Sequence, residues 1–172
     1  GGIDNCTQIK TLFQLGFEKV IINTAALCNP QLIDDAVEKF GSQSIVVCID
    51  IKNSLFGRSI YAKNATQKVK LSLQDYLSFL CDKGVGEIIL QSVDHEGLMQ
   101  GPDLNLYQSL PHSPSVPLVV SGGVGSLNDV KLLFAMTDVS GVAAGAFCVF
   151  HGKHRAVLLT YPTPTQIRSL NP

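Results

Sequence analysis

"SGGVGSLNDVKLLF" (residues 121–134) follows the apolar run 116–120 without a linker, so a strand ends on a glycine pair and opens at once into a helix. The chain begins with nearly the same words, "GGIDNCTQIKTLF" (1–13). The two stretches align without a gap at an offset of 121, with Gly1, Gly2, Lys10, Leu12 and Phe13 on Gly122, Gly123, Lys131, Leu133 and Phe134. The alignment continues to the next strand ends, where "VIINTAA" (20–26) faces "GVAAGAF" (141–147). A helix and its following strand, bounded by glycine turns and used twice, mark a repeated architectural unit.

Working outward, apolar β-branched runs recur at Val20–Ile22, Ile45–Ile49, Ile88–Leu90, Val116–Val120 and Val139–Ala143. They alternate weakly, as strands of a parallel sheet buried on both faces do. Helical patterns separate them. Asp4 or Asn5 caps the first, Asn29-Pro30 opens the second before a stop at Gly41, and Ser72 starts one that stops at Gly84. Segments 103–110 and 126–136 supply two more. This alternation predicts an α/β fold of repeated βα units. An open doubly wound sheet and a barrel both fit it, and the internal echo favours a (βα)8 barrel. Five strands are expected, so the chain reads as an incomplete barrel, about the last five βα units. Residues 1–172 are expected to form one partial barrel domain with a hairpin excursion near 52–71.

Composition narrows the function classes. Of 172 residues, 45% are hydrophobic and 16% charged, which suits a folded chain with a substantial core. The net charge of −1 provides no general attraction for nucleic acid or an anionic membrane, so phosphate recognition must be local. No apolar stretch approaches the ~20 residues of a spanning helix. The five cysteines are scattered without a CxxC pattern, and the four histidines lack ligand spacing, so neither a metal nor another cofactor is expected.

In a barrel of this kind, function collects where strands end. Gly1-Gly2 with Asn23-Thr24, and Gly122-Gly123 with Ala144-Gly145, form two candidate anion cups of backbone N–H groups. The glycines also serve simple tight turns, but the paired offset favours the cups and implies a substrate with a phosphate at each end. The strand leading to "QSVDHEG" (91–97) offers Ser92, Asp94, His95 and Glu96, with Gly97 after them, and the next strand offers Ser121. Asp50, placed directly after five apolar residues, is poised to lose hydration, which raises a carboxyl pKa and suits proton transfer. An N-cap or a partnership with Lys52 is the structural alternative. Lys19 and Glu87 sit at the opposite strand ends, where charges ordinarily face solvent.

Taken together, "GGI", "VIINTAA", "GSQSIVVCID", "GVGEIILQSVDHEG", "SGGVGS" and "AAGAF" resemble the cyclase subunit of imidazole glycerol phosphate synthase, over residues 1 to about 150. The resemblance implies a two-phosphate-site (βα)8 barrel that takes ammonia from a partner glutaminase. It uses that ammonia on a bisphosphorylated aminoimidazole ribonucleotide in histidine biosynthesis, a lyase-type ring closure in the cytoplasm. It implies Asp50 as catalytic, Gly2, Asn23 and Thr24 as one phosphate cup, and Gly123, Ala144 and Gly145 as the other. Lys19 and Glu87 then match an ammonia gate. Departures are also visible. The family's first-strand aspartate has no counterpart here, Glu96 replaces an aspartate, and Gly145 replaces a serine of the second cup. The ending "FHGKHRAVLLTYP" (150–162) is similar instead to a paralogous branch of lipopolysaccharide synthesis that makes acetamidino sugars. Two further readings remain: the related two-phosphate sugar isomerase, against which Lys19 and Glu87 count, and a non-catalytic phosphate-binding half-barrel. Unpaired sheet edges lead to an expectation of self-association.

Overall fold

The computed structural model describes residues 2–54, 57–110 and 114–170. In chain order the elements are α1 (Cys6–Gln14), β1 (Val20–Ile22), α2 (Thr24–Cys28), α3 (Gln31–Phe40), β2 (Ile45–Ser54), β3 (Gly57–Ala62), β4 (Gln67–Lys68), α4 (Leu73–Asp82) and β5 (Glu87–Ser92). Then follow α5 (Leu104–Gln108), β6 (Leu118–Ser121), α6 (Leu127–Met136), β7 (Gly141–Ala143), α7 (Ala146–Val149), β8 (Phe150–His151), β9 (Ala156–Val157) and α8 (Pro164–Arg168). The chain divides into two compact units, residues 1–90 with 114–118, and 91–113 with 119–172.

In the first unit, local sequence sets the helix boundaries. The Asn5 side chain accepts from Gln8 N–H to start α1, and the Ser72 hydroxyl accepts from Asp75 N–H to start α4. Gly41, at φ 85°, ends α3 in a conformation open to glycine. Pro30 occupies the cap position of α3 rather than its first turn. β1 and β2 pair in parallel, Val20 to Ile45 through Ile22 to Val47. The core lies between this sheet and its helices: Ile9, Ile33, Ala36, Leu80, Ile45, Val47, Ile49, Ile88 and Leu90 are all fully or almost fully buried.

β2 does not stop at Asp50. It runs on to Ser54 and pairs antiparallel with β3, Asp50 opposite Tyr61 through Ser54 opposite Gly57. β3 turns back onto β4 through Lys63, Asn64 and Ala65, three successive residues at φ 52–58°. The excursion is therefore a three-stranded antiparallel ribbon continuous with the parallel strand. Residues 55 and 56 of it lie outside the described residues. A charge in an apolar run looks like a strand end, but here the ladder to β3 gives the backbone groups of 50–54 new partners.

In the second unit β6 and β7 are parallel, Val119 to Gly141 through Ser121 to Ala143. Asp103 caps α5 by accepting from Leu106 N–H, and Ser126 with Asp129 forms a reciprocal capping box on α6. Leu106, Tyr107, Val120, Val124, Val130 and Leu133 fill its core. β8 and β9 form a short antiparallel hairpin, Phe150 to Val157 and His151 to Ala156. Bonds from Leu158 N–H to Val149 O (2.9 Å) and from Thr160 N–H to Cys148 O (2.9 Å) extend it.

Candidate functional site

The first unit holds Asp50, Asn23 and Thr24 together. Asp50 is 8% exposed, and the loss of hydration raises its carboxyl above the ordinary 3.8. Two weaker influences act the other way: a hydrogen bond from the Asn23 side chain and one from the Cys48 thiol, Sγ 3.9 Å from Oδ1. The Asn23 amide oxygen is buried and without a hydrogen-bond partner among the described residues. Leaving an acceptor buried and unmade costs about 1–3 kcal/mol, so the fold holds it there at a loss. Asp50 is neither a helix cap nor the partner of Lys52, whose Nζ instead lies over the Tyr61 ring, 5.8 Å from its centroid.

Thr24 opens α2, and its Oγ1 accepts a hydrogen bond from Lys63 N–H at 2.9 Å, which ties it to the tip of the ribbon. Its hydroxyl hydrogen is left for another acceptor. Gly2 has φ 81° and lines a cavity with Ile3, Gln8, Thr11 and Leu12. Asn23 and Thr24 do not line that cavity, so the first cup is not enclosed as the sequence suggested, and Gly1 lies outside the described residues. Lys19 and Glu87 do meet, Nζ to Oε2 at 2.6 Å, with Lys19 about half exposed.

The second unit builds its cup from the residues expected of it. Glu96, Gly97, Gly122, Gly123, Val124 and the run 143–146, which contains Ala144 and Gly145, line one small cavity. Ser121 stands just before it and accepts the Tyr107 hydroxyl on its carbonyl at 2.8 Å. Asp94 lies in the short turn 93–95 on the same loop. Gly122 (φ 108°) and Gly123 (φ 86°) are needed for two reasons at once. Their conformation suits glycine, and an added Cβ would strike Ser92 O at 2.5 Å in the first case and the Gly101 carbonyl in the second. Gly123 O also accepts from Gly101 N–H at 2.9 Å. The glycine pair therefore first serves close packing against loop 93–101. Gly145 is different: at φ −98° it has open space where a Cβ would stand.

Sequence reading offered Ser92 and His95 singly but missed the polar cluster they form with Asp103. Ser92 Oγ lies 2.9 Å from His95 Nδ1, which lies 4.0 Å from the buried Asp103 carboxylate. Both partners approach the same ring nitrogen, so this is a bracing arrangement for the loop and not a nucleophile–base–acid chain. It also missed Arg155, whose Nη2 donates to Gly97 O at 2.7 Å. Among the described residues no group of His, Cys, Asp or Glu is arranged to hold a metal. No helix of the described residues is long and apolar enough to cross a membrane.

Parallel βα units with a buried carboxylate on one strand and a glycine-lined cavity at the end of others define an α/β protein with the parallel sheet of an incomplete (βα)8 barrel. Residues 1–155 match the family described as histidine biosynthesis protein, and the chain belongs to it. A Pseudomonas aeruginosa protein provisionally named imidazole glycerol phosphate synthase subunit hisF2 is 45% identical over 163 residues, 94% of this chain and 65% of that protein. A Vibrio vulnificus protein provisionally named subunit hisF3 is 38% identical over 96% of this chain and 65% of its own length. The imidazole glycerol phosphate synthase subunit HisF of Natranaerobius thermophilus is 36% identical over 151 residues, 88% of this chain and 59% of that protein. The chain thus spans about two thirds or less of the length of these relatives.

Proposed function

We propose that this chain forms part of the cyclase subunit of an imidazole glycerol phosphate synthase-type enzyme, acting in the cytoplasm. In this reading a partner glutaminase supplies ammonia, which is used on a bisphosphorylated ribonucleotide. The observation that carries the reading is the pairing of buried Asp50 with Asn23. Burial leaves the carboxylate more basic than an ordinary aspartate, and the Asn23 amide orients it. The unpartnered Asn23 oxygen is an acceptor for an N–H of the substrate or for the Asp50 proton once transferred.

Each cup then receives one phosphate. Gly97, Gly122, Gly123, Ala144 and Gly145 surround one phosphate with main-chain donors, while Asn23 and Thr24 meet the other, the Thr24 hydroxyl donating. The Lys19–Glu87 pair admits ammonia, as the family resemblance implies, by breaking its single exposed contact.

A second reading is favoured by the region from 150 onward. The β8–β9 hairpin reaches the cup through Arg155, and the family match ends at residue 155. In that reading the same chemistry serves an acetamidino-sugar step in lipopolysaccharide synthesis. The test is turnover with ammonium salt as nitrogen donor, comparing the bisphosphorylated aminoimidazole ribonucleotide with a nucleotide-linked amino sugar. Asp50→Asn should lower the turnover of whichever reaction is found by ~10²–10⁴-fold. Turnover of neither substrate, or full turnover by Asp50→Asn, refutes the proposal.

A further inference from the structure

The residue-by-residue composition of the second cup leaves an electrostatic gap. Glu96 is among the lining residues, so an anion bound there has an acidic residue for a neighbour. Gly145, with empty space at its Cβ position, contributes no side-chain donor. Main-chain donors alone would have to hold a phosphate against that carboxylate.

Arg155 is bonded to a residue of the cavity wall. Its Nη2 donates to the carbonyl of Gly97, itself a lining residue, at 2.7 Å. The guanidinium is held from a second side by the Phe150 ring, 4.6 Å from its centroid, a contact that fixes its plane. The hairpin that carries it is closed by main-chain hydrogen bonds. A turn bond from Arg155 N–H to Gly152 O (3.0 Å) closes its tip, and its ladder runs back to Cys148, three residues beyond Gly145. One short segment therefore carries both a lining residue and the arginine. A guanidinium has five N–H donors, and the Gly97 carbonyl uses one.

We propose that Arg155 is a specificity-determining residue of the second cup, supplying the cation that offsets Glu96 and selects a doubly charged phosphate monoester. The proposal rests on the cup being a phosphate site, and the experiment separates the two. Glycerol phosphate is titrated into the chain while amide resonances of Gly97, Gly123 and Gly145 are followed, at low and at physiological salt. Arg155→Gln should weaken binding about tenfold and flatten its salt dependence, and Arg155→Lys should recover part of the affinity. If the wild-type chain binds with shifts at these glycines and Arg155→Gln binds equally well, the proposal for Arg155 fails and the cup stands. If the wild-type glycines do not respond, the phosphate reading of the cup fails, and the Arg155 proposal with it. If Arg155→Gln loses affinity with an unchanged salt dependence while its thermal midpoint drops, Arg155 is a loop brace and its cationic role is overturned.

Discussion

Gly123→Ala and Gly145→Ala make the sharpest test of the second cup, because the same methyl group is added at two of its lining residues with opposite expected results. At Gly123 the new Cβ would sit 2.9 Å from the Gly101 carbonyl carbon and 3.1 Å from His95 Cβ, with the Gly101 oxygen closer still. Relief requires loop 93–101 to retreat by roughly an ångström, which loses the Gly101 N–H to Gly123 O bond. The left-handed φ costs about 1–2 kcal/mol for alanine, the lost bond about 0.5–1.5, and the overpacking about 1–3. Together these give about 2.5–6.5 kcal/mol. For a chain of this size each kcal/mol moves the thermal midpoint by roughly 2–4 °C, so a drop of about 5–26 °C is expected. At Gly145 no clash and no left-handed φ oppose the change, and its cost should be within about 0.5 kcal/mol. Urea and thermal unfolding followed by far-ultraviolet circular dichroism measure both. The reasoning is refuted if Gly123→Ala lies within about 1 kcal/mol of wild type, or if Gly145→Ala is equally damaging.

Gly145→Ser should tighten phosphate monoester binding several-fold by restoring a hydroxyl donor, read by the same titration; weaker binding would place Gly145 outside the cup. Asp50→Asn should lower kcat by ~10²–10⁴-fold in the protein carrying this sequence, with substrate affinity largely kept. The same variant should be more thermally stable than wild type at pH 7. With a folded-state carboxyl pKa above the unfolded 3.8, the protonated form is favoured on folding, and the stability this contributes is lost as pH rises through the folded value. The advantage of Asn should therefore vanish as pH falls below 3.8, and an advantage independent of pH would point to packing instead. Lys19→Ala removes one exposed ion pair and should change stability by less than about 1 kcal/mol while lowering glutamine-driven turnover more than ammonia-driven turnover.

Much of the scaffold was legible because it is local chemistry. Asn5, Ser72 and Ser126 each cap the helix expected of them, since a short polar side chain before an apolar periodic run has one efficient use there. The grouping of Gly122, Gly123, Ala144 and Gly145 was legible from the repeat, which aligns two strand ends that sequence distance alone would not connect. What stayed hidden depends on partners far along the chain. The continuation of β2 past Asp50 is decided by β3, and the clash behind Gly123 is decided by Gly101. Arg155 lies in the stretch 150–162, which drew notice only for its resemblance to a paralogous branch, and its carbonyl partner at Gly97, 58 residues earlier, reveals a connection to the cup.

The bond between Thr24 and the ribbon tip links two events that would otherwise be independent. Lys63, Asn64 and Ala65 hold a left-handed turn that costs on the order of 1 kcal/mol per residue, and the tip must be fastened to keep it. Beside the local bonds from Thr66, it is fastened by Thr24 Oγ1, which accepts from Lys63 N–H and keeps its own proton to donate. A hydroxyl that donates becomes a better acceptor, so an anion taking the Thr24 proton strengthens the grip on Lys63. Under the proposed function, a phosphate at the start of α2 should therefore steady a turn 39 residues further along the chain. The amide proton of Lys63 becomes a reporter, exchanging with solvent more slowly as the ligand binds, by the same free energy that the ligand gains from an intact ribbon.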